Sequence, residues 1–468
     1  MHKYDLLDLS GGIALYANVE KQNRKVTKTQ QLGHAIAGVG QNFVFGLWNG
    51  FIMIFFTDVF KLSPVFVGTL LFVTRLADAF VDPIVGFVAD RTRTRWGRFR
   101  PWLLFMPVPM AIGLVLNFSV PDLTGVPAMI YATVTYFIMS VMFSCIEIPY
   151  WSLPAAMTED PNARTSIIAT SRLATTVAGL AVGIGLAPML TAFGHGDPAQ
   201  AYQMVAIIIA ILAGLLYLTG FILIKEHVIP ATEKIEFKKA AKAVFSNKPL
   251  LLLALVNLLN TTTILTKMNI QNYYAQYNLG SLNYVALLSM VLLPGTIIGS
   301  LLAAPLCKRF EKKTILIVSN LYTAILGLIL FFAGYNSVMF VLIIIGLQGL
   351  QLGIMSVVAS SMLTDTMEYA EWKTGQRNEG VITSSNSFVT KFATAISAGL
   401  IGIILSITNY VPNVQQQAGT LMGIHASMSI VPAITVLISI LPLLFYDLNN
   451  KKHTEIVAML KETRDGKE

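Results

Sequence analysis

The sequence predicts an all-α integral membrane protein with twelve transmembrane helices in two six-helix halves. Three observations predict it. Of 468 residues, 54% are hydrophobic and 12% charged, about half the charged share of a soluble domain. Apolar stretches long enough to cross a bilayer, about 20 residues each, recur along the whole chain. Lysines and arginines concentrate in alternate connections, the positive-inside pattern of a polytopic protein. The mean hydropathy of +0.65 agrees.

Hydropathy places the spans at 35–59, 65–89, 101–119, 126–152, 167–194, 202–224, 248–276, 281–306, 314–334, 338–363, 380–408 and 420–446. Residues 1–34 form a polar arm with Lys3, Lys21, Arg24, Lys25 and Lys28, and no cleavable signal peptide is expected. The first half covers 35–224. The loop after its second span carries Arg91, Arg93, Arg95, Arg98 and Arg100. A central loop, 225–247, separates the halves. It is basic and holds EKIEFKKAAKAVF, an amphipathic segment suited to the membrane interface. The second half covers 248–447, with Lys308, Arg309, Lys312 and Lys313 after its second span, and the tail covers 448–468. On the opposite side Lys61 is the one clear cation. The distribution puts both termini and the central loop in the cytoplasm of a multi-pass cell-membrane protein. It also accounts for the net charge of +8 without a nucleic-acid partner. Cys145 and Cys307 lie in apolar stretches and read as buried thiols rather than a disulfide.

The short polar loops DRTRTRWGRFR, 90–100, and KRFEKK, 308–313, fall at matching places in the two halves. Repeated halves put a transport site at their interface near the bilayer midplane.

Few polar groups lie within the spans. Arg75, Asp78 and Asp82 recur at i, i+3 and i+7, so they share one helix face. Each ionised group at the bilayer centre costs roughly 2.5–3.5 kcal/mol, so such a stripe faces a protein interior or a wet cavity. Two carboxylates one turn apart cannot both ionise freely unless a cation intervenes. The stripe therefore reads as a proton or sodium site, with Arg75 and Lys391 balancing the charge. The structural alternative is an ion-pair network alone. Glu147 and Trp151, at i and i+4, combine a carboxylate for vicinal hydroxyls with an aromatic face for a sugar ring. Asn42 and Asn49 share a face of the first span. Arg172 and Lys267 are further intramembrane cations. Lys267 reads either as a bridge to an acid or carbonyl, or as a contact to a negatively charged or hydroxyl-rich substrate.

Gly86-x-x-x-Asp90-Arg91 resembles the loop signature of the major facilitator superfamily. Longer stretches are more specific. LADAFVDPIVGFVADRTRTRWGRFRPW, IEIPYWSLPAAMT, SSMLTDTMEYAEWKTGQRNEG and SFVTKFATAISAG resemble the second span and its loop, the fourth span, the tenth-to-eleventh loop and the eleventh span of the glycoside–pentoside–hexuronide cation symporters. The similarity covers about residues 30–450.

The resemblance implies a symporter that couples sugar uptake to a cation gradient by alternating access. It makes Asp78 and Asp82 the cation-site acids and Lys391 their basic partner. It puts Asn42, Asp78, Glu147, Trp151, Arg172 and Lys391 at the sugar site; Lys267, which has no family counterpart, is added from its own position. Asn42 stands where a well-studied relative has a sugar-contacting Asp, which argues against a strict galactoside specialist, and Glu147 likewise replaces an Asp with a longer arm. Val81, between the two acids, replaces the amide that sodium-using members tend to carry. Proton coupling is therefore expected over sodium. Asp90, Arg91 and Arg98, with Asp365, Glu368, Glu371 and Arg377 of a 364–379 loop, are expected to form a cytoplasmic ion-pair gate.

No phosphate-binding loop G-x-x-x-x-G-K-[ST] occurs, so direct nucleotide drive is unsupported, and the chain is expected not to be an enzyme. The expected partners are a small sugar and the lipid bilayer, with no cofactor beyond the coupling cation and no fused phosphotransferase domain. A lysolipid or other amphiphile carrier of the same fold is the alternative, and a polytopic membrane glycosyltransferase a more distant one.

Overall fold

The computed structural model describes residues 26–158, 160–194, 196–227, 245–374 and 379–465. The basic arm up to Lys25, most of the amphipathic central segment and Arg377 lie outside the described residues.

The first half begins with α1 (Lys28–Ile54), which Thr27 and Gln30 open with a reciprocal capping box. It ends in a π-helical turn, Phe55–Val59. α2 (Pro64–Arg91) follows, capped by Ser63. Then come α3 (Arg100–Phe105), α4 (Pro107–Asn117), α5 (Val126–Met157), α6 (Pro161–Phe193) and α7 (Pro198–Leu223). In the second half α8 (Lys248–Tyr273) also ends in a π-helical turn, Tyr274–Asn278. α9 (Tyr284–Arg309), α10 (Lys312–Ala333), α11 (Val338–Thr374) and α12 (Glu379–Ile407) follow. The last span is divided into α13 (Ala418–Met428), α14 (Ile430–Ile438) and α15 (Ile440–Leu444), and α16 (Asn450–Asp465) completes the chain.

Among the described residues, eleven helical segments are long and apolar enough to cross a membrane. The third span is absent from that set because it breaks at Pro107, which cannot donate to the preceding turn, so α3 and α4 share the crossing. The twelfth span breaks at Ser429 and Ser439.

Two boundaries differ from the sequence expectation. α2 runs on to Arg91, so Asp90 and Arg91 sit on its last turn rather than in a loop. α11 runs to Thr374, so Asp365, Glu368 and Glu371 also lie on a helix and not in a 364–379 loop. Hydropathy ends a span where water begins, but the helix continues because its backbone bonds are internal.

The halves are built by close helix packing. α9 and α11 are in backbone contact: a Cβ on Gly353 would lie 2.1 Å from the Thr296 carbonyl oxygen, and one on Gly299 2.1 Å from that of Leu350. Small residues permit this approach where lipid offers no hydrophobic drive. Between halves, α2 packs on α12, α6 on α9 and α1 on α8. At the Pro64 end of α2 the contact narrows to backbone, since a Cβ on Gly68 would lie 2.9 Å from the Gly402 Cα.

Candidate transport site

The charged stripe of α2 is split between two sets of partners. Arg75 and Asp78 are buried, at 8% and 2% exposure, and form an ion pair of 3.2 Å. Arg75 also donates to the Asn49 Oδ1 of α1 at 3.3 Å, and its guanidinium lies 4.7 Å from the centre of the Trp48 ring. Asp78 accepts a second bond from Ser140 of α5 at 2.7 Å. This cluster ties α1, α2 and α5 within the first half.

Asp82, one turn further, pairs instead with Lys391 of α12, so this ion pair joins the two halves. Both side chains remain partly accessible, at 21% and 27%. The other carboxylate oxygen of Asp82 is buried with no hydrogen-bond partner. Adjacent turns of one helix thus hold two acids in different settings: Asp78 in a closed network, Asp82 at a seam with an oxygen to spare. Ionised Asp82 and Lys391 attract each other in low dielectric, and protonation of the acid removes that attraction.

Glu147 of α5 lies within electrostatic reach of Arg75, Asp78 and Arg172. The Arg172 guanidinium of α6 lies 4.4 Å from the centre of the Trp151 ring. Glu147, Trp151 and Arg172 therefore form one neighbourhood with the α2 cluster. Asn42 of α1 donates to its own helix at Gly38, 3.3 Å, and its Oδ1 faces Gly179 of α6. Lys267 stands apart, on α8, where it donates to Gln348 Oε1 of α11 at 2.6 Å.

The expected gate residues are distributed differently. Asp90 pairs with Arg98 at 2.5 Å, both in the first half. Arg91 is exposed and stacks on Phe87, 3.7 Å from the ring centre. Asp365 pairs with Lys312 at 2.7 Å and with His453 of α16 at 3.6 Å, and Glu368 also pairs with His453, all in the second half. Glu371 is half-buried one turn beyond Glu368. Among the described residues Asp365 and Glu368 make no contact with the arginine loop: α10 and α16 supply their partners. The spacing of the acids explains this. At i and i+3 on a continuing helix they share a face, and that face meets α16.

Three features escaped the sequence reading. The first is Asp58 in the π-turn ending α1, a buried carboxylate served by hydroxyls. Tyr410, which follows α12, donates at 2.5 Å, Thr57 at 2.7 Å, and Tyr277 of the matching π-turn donates as well. Asn413 bonds the Asp58 carbonyl at 2.5 Å. The set ties the halves together at the end opposite the arginine loop. Its signal was an acid in the last turn of an apolar run. The second is Glu226, which accepts the backbone N–H groups of Arg98, Phe99 and Arg100 at 2.7, 2.8 and 2.7 Å. Gly97, at φ +114°, lets the loop turn there, and a Cβ would meet the carboxylate at 2.6 Å. The third is His34, fully buried on α1, bonded to Ser171 at 2.6 Å and the Tyr150 carbonyl at 3.0 Å, and stacked on Tyr150 at 4.3 Å.

Comparison with known proteins bears on this arrangement. The profile of the MFS/sugar transport protein family matches residues 33–450. The isoprimeverose transporter of Lactiplantibacillus pentosus is 30% identical, covering 93% of this chain and 91% of the relative. The glucuronide carrier protein homolog of Escherichia coli (strain K12) is 29% identical over 93% of this chain and 96% of its own. Among solved structures, a bacterial homolog of the human lysosomal transporter Spinster, inward-facing and unoccupied, superposes with a TM-score of 0.69 at 12% identity, covering 91% of this chain and 97% of that one. That likeness concerns the fold.

Proposed function

Since the chain belongs to the MFS/sugar transport protein family, we propose that it is a secondary active symporter that couples uptake of a glycoside, pentoside or hexuronide to a proton gradient. It is a multi-pass membrane carrier and not an enzyme. In the proposed arrangement it sits in the cell membrane with both termini in the cytoplasm. The relatives named for isoprimeverose and for glucuronide support a glycoside or uronide cargo.

The observation that carries the reading is the Asp82–Lys391 pair across the seam between halves. Proton arrival at Asp82 cancels its attraction for Lys391 and frees α2 from α12, while the Arg75–Asp78 cluster keeps the first half rigid. The sugar lies between Trp151, which takes its apolar face, and Glu147 and Arg172, which take its hydroxyls. Val81 supports the proton: sodium needs several oxygen ligands, and this side chain supplies none.

The hydroxyl set around Asp58 closes the outer face, while on the arginine-loop side Asp90 pairs with Arg98 and Asp365 with Lys312, each within its own half, as suits an inward-opening state. Tracer uptake in proteoliposomes tests the function. An inward-acid gradient drives accumulation of a glycoside or uronide in the absence of sodium; strict dependence on sodium defeats the proton assignment, and lack of sugar exchange under any gradient defeats the whole reading.

A further inference from the structure

We propose that Lys267 and Gln348 form a subsite for a negatively charged group, so that the transported sugar is an acid carrying a carboxylate or sulfonate. This rests on the sugar-transport reading and narrows it.

Charge balance singles out Lys267. In the first half each intramembrane cation has an acid at hand: Arg75 has Asp78, and Arg172 has Glu147 within electrostatic reach. Lys391 of the second half takes Asp82 of the first. Lys267 remains. The second half contains no Asp or Glu in 237–310, 312–364 or 380–446, so its spans hold no acid that could serve this lysine. Among the described residues no carboxylate oxygen lies within 4.0 Å of the Lys267 ammonium, and its hydrogen-bond partner is the neutral Gln348. A cation held in a membrane without countercharge is expensive and marks a binding role by default.

Gln348 adds a second donor. Lys267 has donors only, so the amide must present its oxygen to it, and its NH2 group is directed elsewhere. That Nε2 is buried without a partner, on a side chain that is 5% exposed. An ammonium and a free amide N–H on neighbouring helices suit an oxyanion. The place is also right for a ligand held between halves. Gln271, one turn further on the same face of α8, donates to Ser289 of α9 at 3.1 Å, and a Cβ on Gly183 of α6 would meet that hydroxyl at 3.1 Å, so this face of α8 lies beside the first half. A sugar acid lying across the seam puts its ring and hydroxyls toward Trp151 and Glu147 and its anionic end toward Lys267.

The test uses the full-length protein in proteoliposomes. Counterflow is measured for methyl glycosides of gluco, galacto and manno configuration, each as a matched pair of uronide and neutral sugar, with sodium acetate and sodium sulfate as free-anion competitors. At least one uronide is expected to exchange about ten-fold or more better than its neutral match. Lys267→Gln abolishes that preference and Lys267→Arg retains it. Binding of the uronide followed by thermal unfolding shows the same order, which separates lost recognition from lost folding. A preference that survives Lys267→Gln, or a neutral sugar exchanging as well as its uronide, overturns the subsite alone. Inhibition by acetate or sulfate equal to that by the uronide overturns a sugar-acid ligand in favour of a free anion. Exchange of no sugar in either series overturns the transport reading together with it.

Discussion

Lys391 on the eleventh span donates to Asp82 on the second, joining the two halves by a charged contact one helical turn from the closed Arg75–Asp78 pair. The two acids are therefore expected to have separable roles. Asp82→Asn is expected to abolish uphill accumulation while energy-independent exchange of the sugar persists. Asp78→Asn lowers both, because it removes the charge that pairs with Arg75 and leaves one acceptor oxygen where Arg75 and Ser140 each use one. Parallel counterflow and gradient-driven uptake measurements distinguish these outcomes.

Removing one member of a buried ion pair leaves the other uncompensated, which costs about 3–5 kcal/mol. Arg75→Ala is expected to destabilise by that order, since Asp78 is nearly inaccessible, and Arg75→Ala with Asp78→Ala should recover part of the loss. Thermal unfolding of the purified single and double variants measures the coupling.

The Tyr410–Asp58 bond joins the two halves at the end opposite the arginine loop, the outer face in the proposed arrangement, and a bond to a charged group contributes about 1.5–3 kcal/mol. Tyr410→Phe removes it, and the outward-open population is expected to rise by about ten-fold. A cysteine placed at Gly50 of α1, where a Cβ meets nothing within 4 Å, reports this, since a membrane-impermeant maleimide added outside should label it correspondingly faster in the Tyr410→Phe background. Unchanged labelling contradicts a sealing role.

Much of this site was legible because a helix repeats by simple rules. The i, i+3, i+7 spacing of Arg75, Asp78 and Asp82 fixed their common face, and the i, i+4 spacing of Glu147 and Trp151 fixed theirs. Which partner each acid takes was not legible, because Ser140, Asn49 and Lys391 approach through tertiary packing. The same gap hid the outer closure. Asp58 sits where a hydropathy window reads the edge of a span, and its partners Tyr277 and Tyr410 come from distant segments. Asp365, Glu368 and Glu371 were read as a loop because polarity was taken for loss of helix, although their spacing of three was itself helical.

Glu226 holds three backbone N–H groups at the turn into α3, so Glu226→Ala leaves those donors without their acceptor. A loss of about 2 kcal/mol is expected, given hydrogen bonds to a charged group that is partly accessible. Gly97→Ala should destabilise as well, through both its positive φ and the approach of the carboxylate. Thermal unfolding of each variant, with Glu226→Gln as the conservative control that keeps one acceptor oxygen, checks this.

Proton entry with the sugar, at Asp82, is the proposed coupling. It is tested most directly by adding a transported sugar to de-energised, lightly buffered cells expressing the protein in sodium-free medium and following external pH. The account predicts a transient alkalinisation that Asp82→Asn abolishes. Sugar entry with no pH change, appearing only when sodium is supplied, would contradict it.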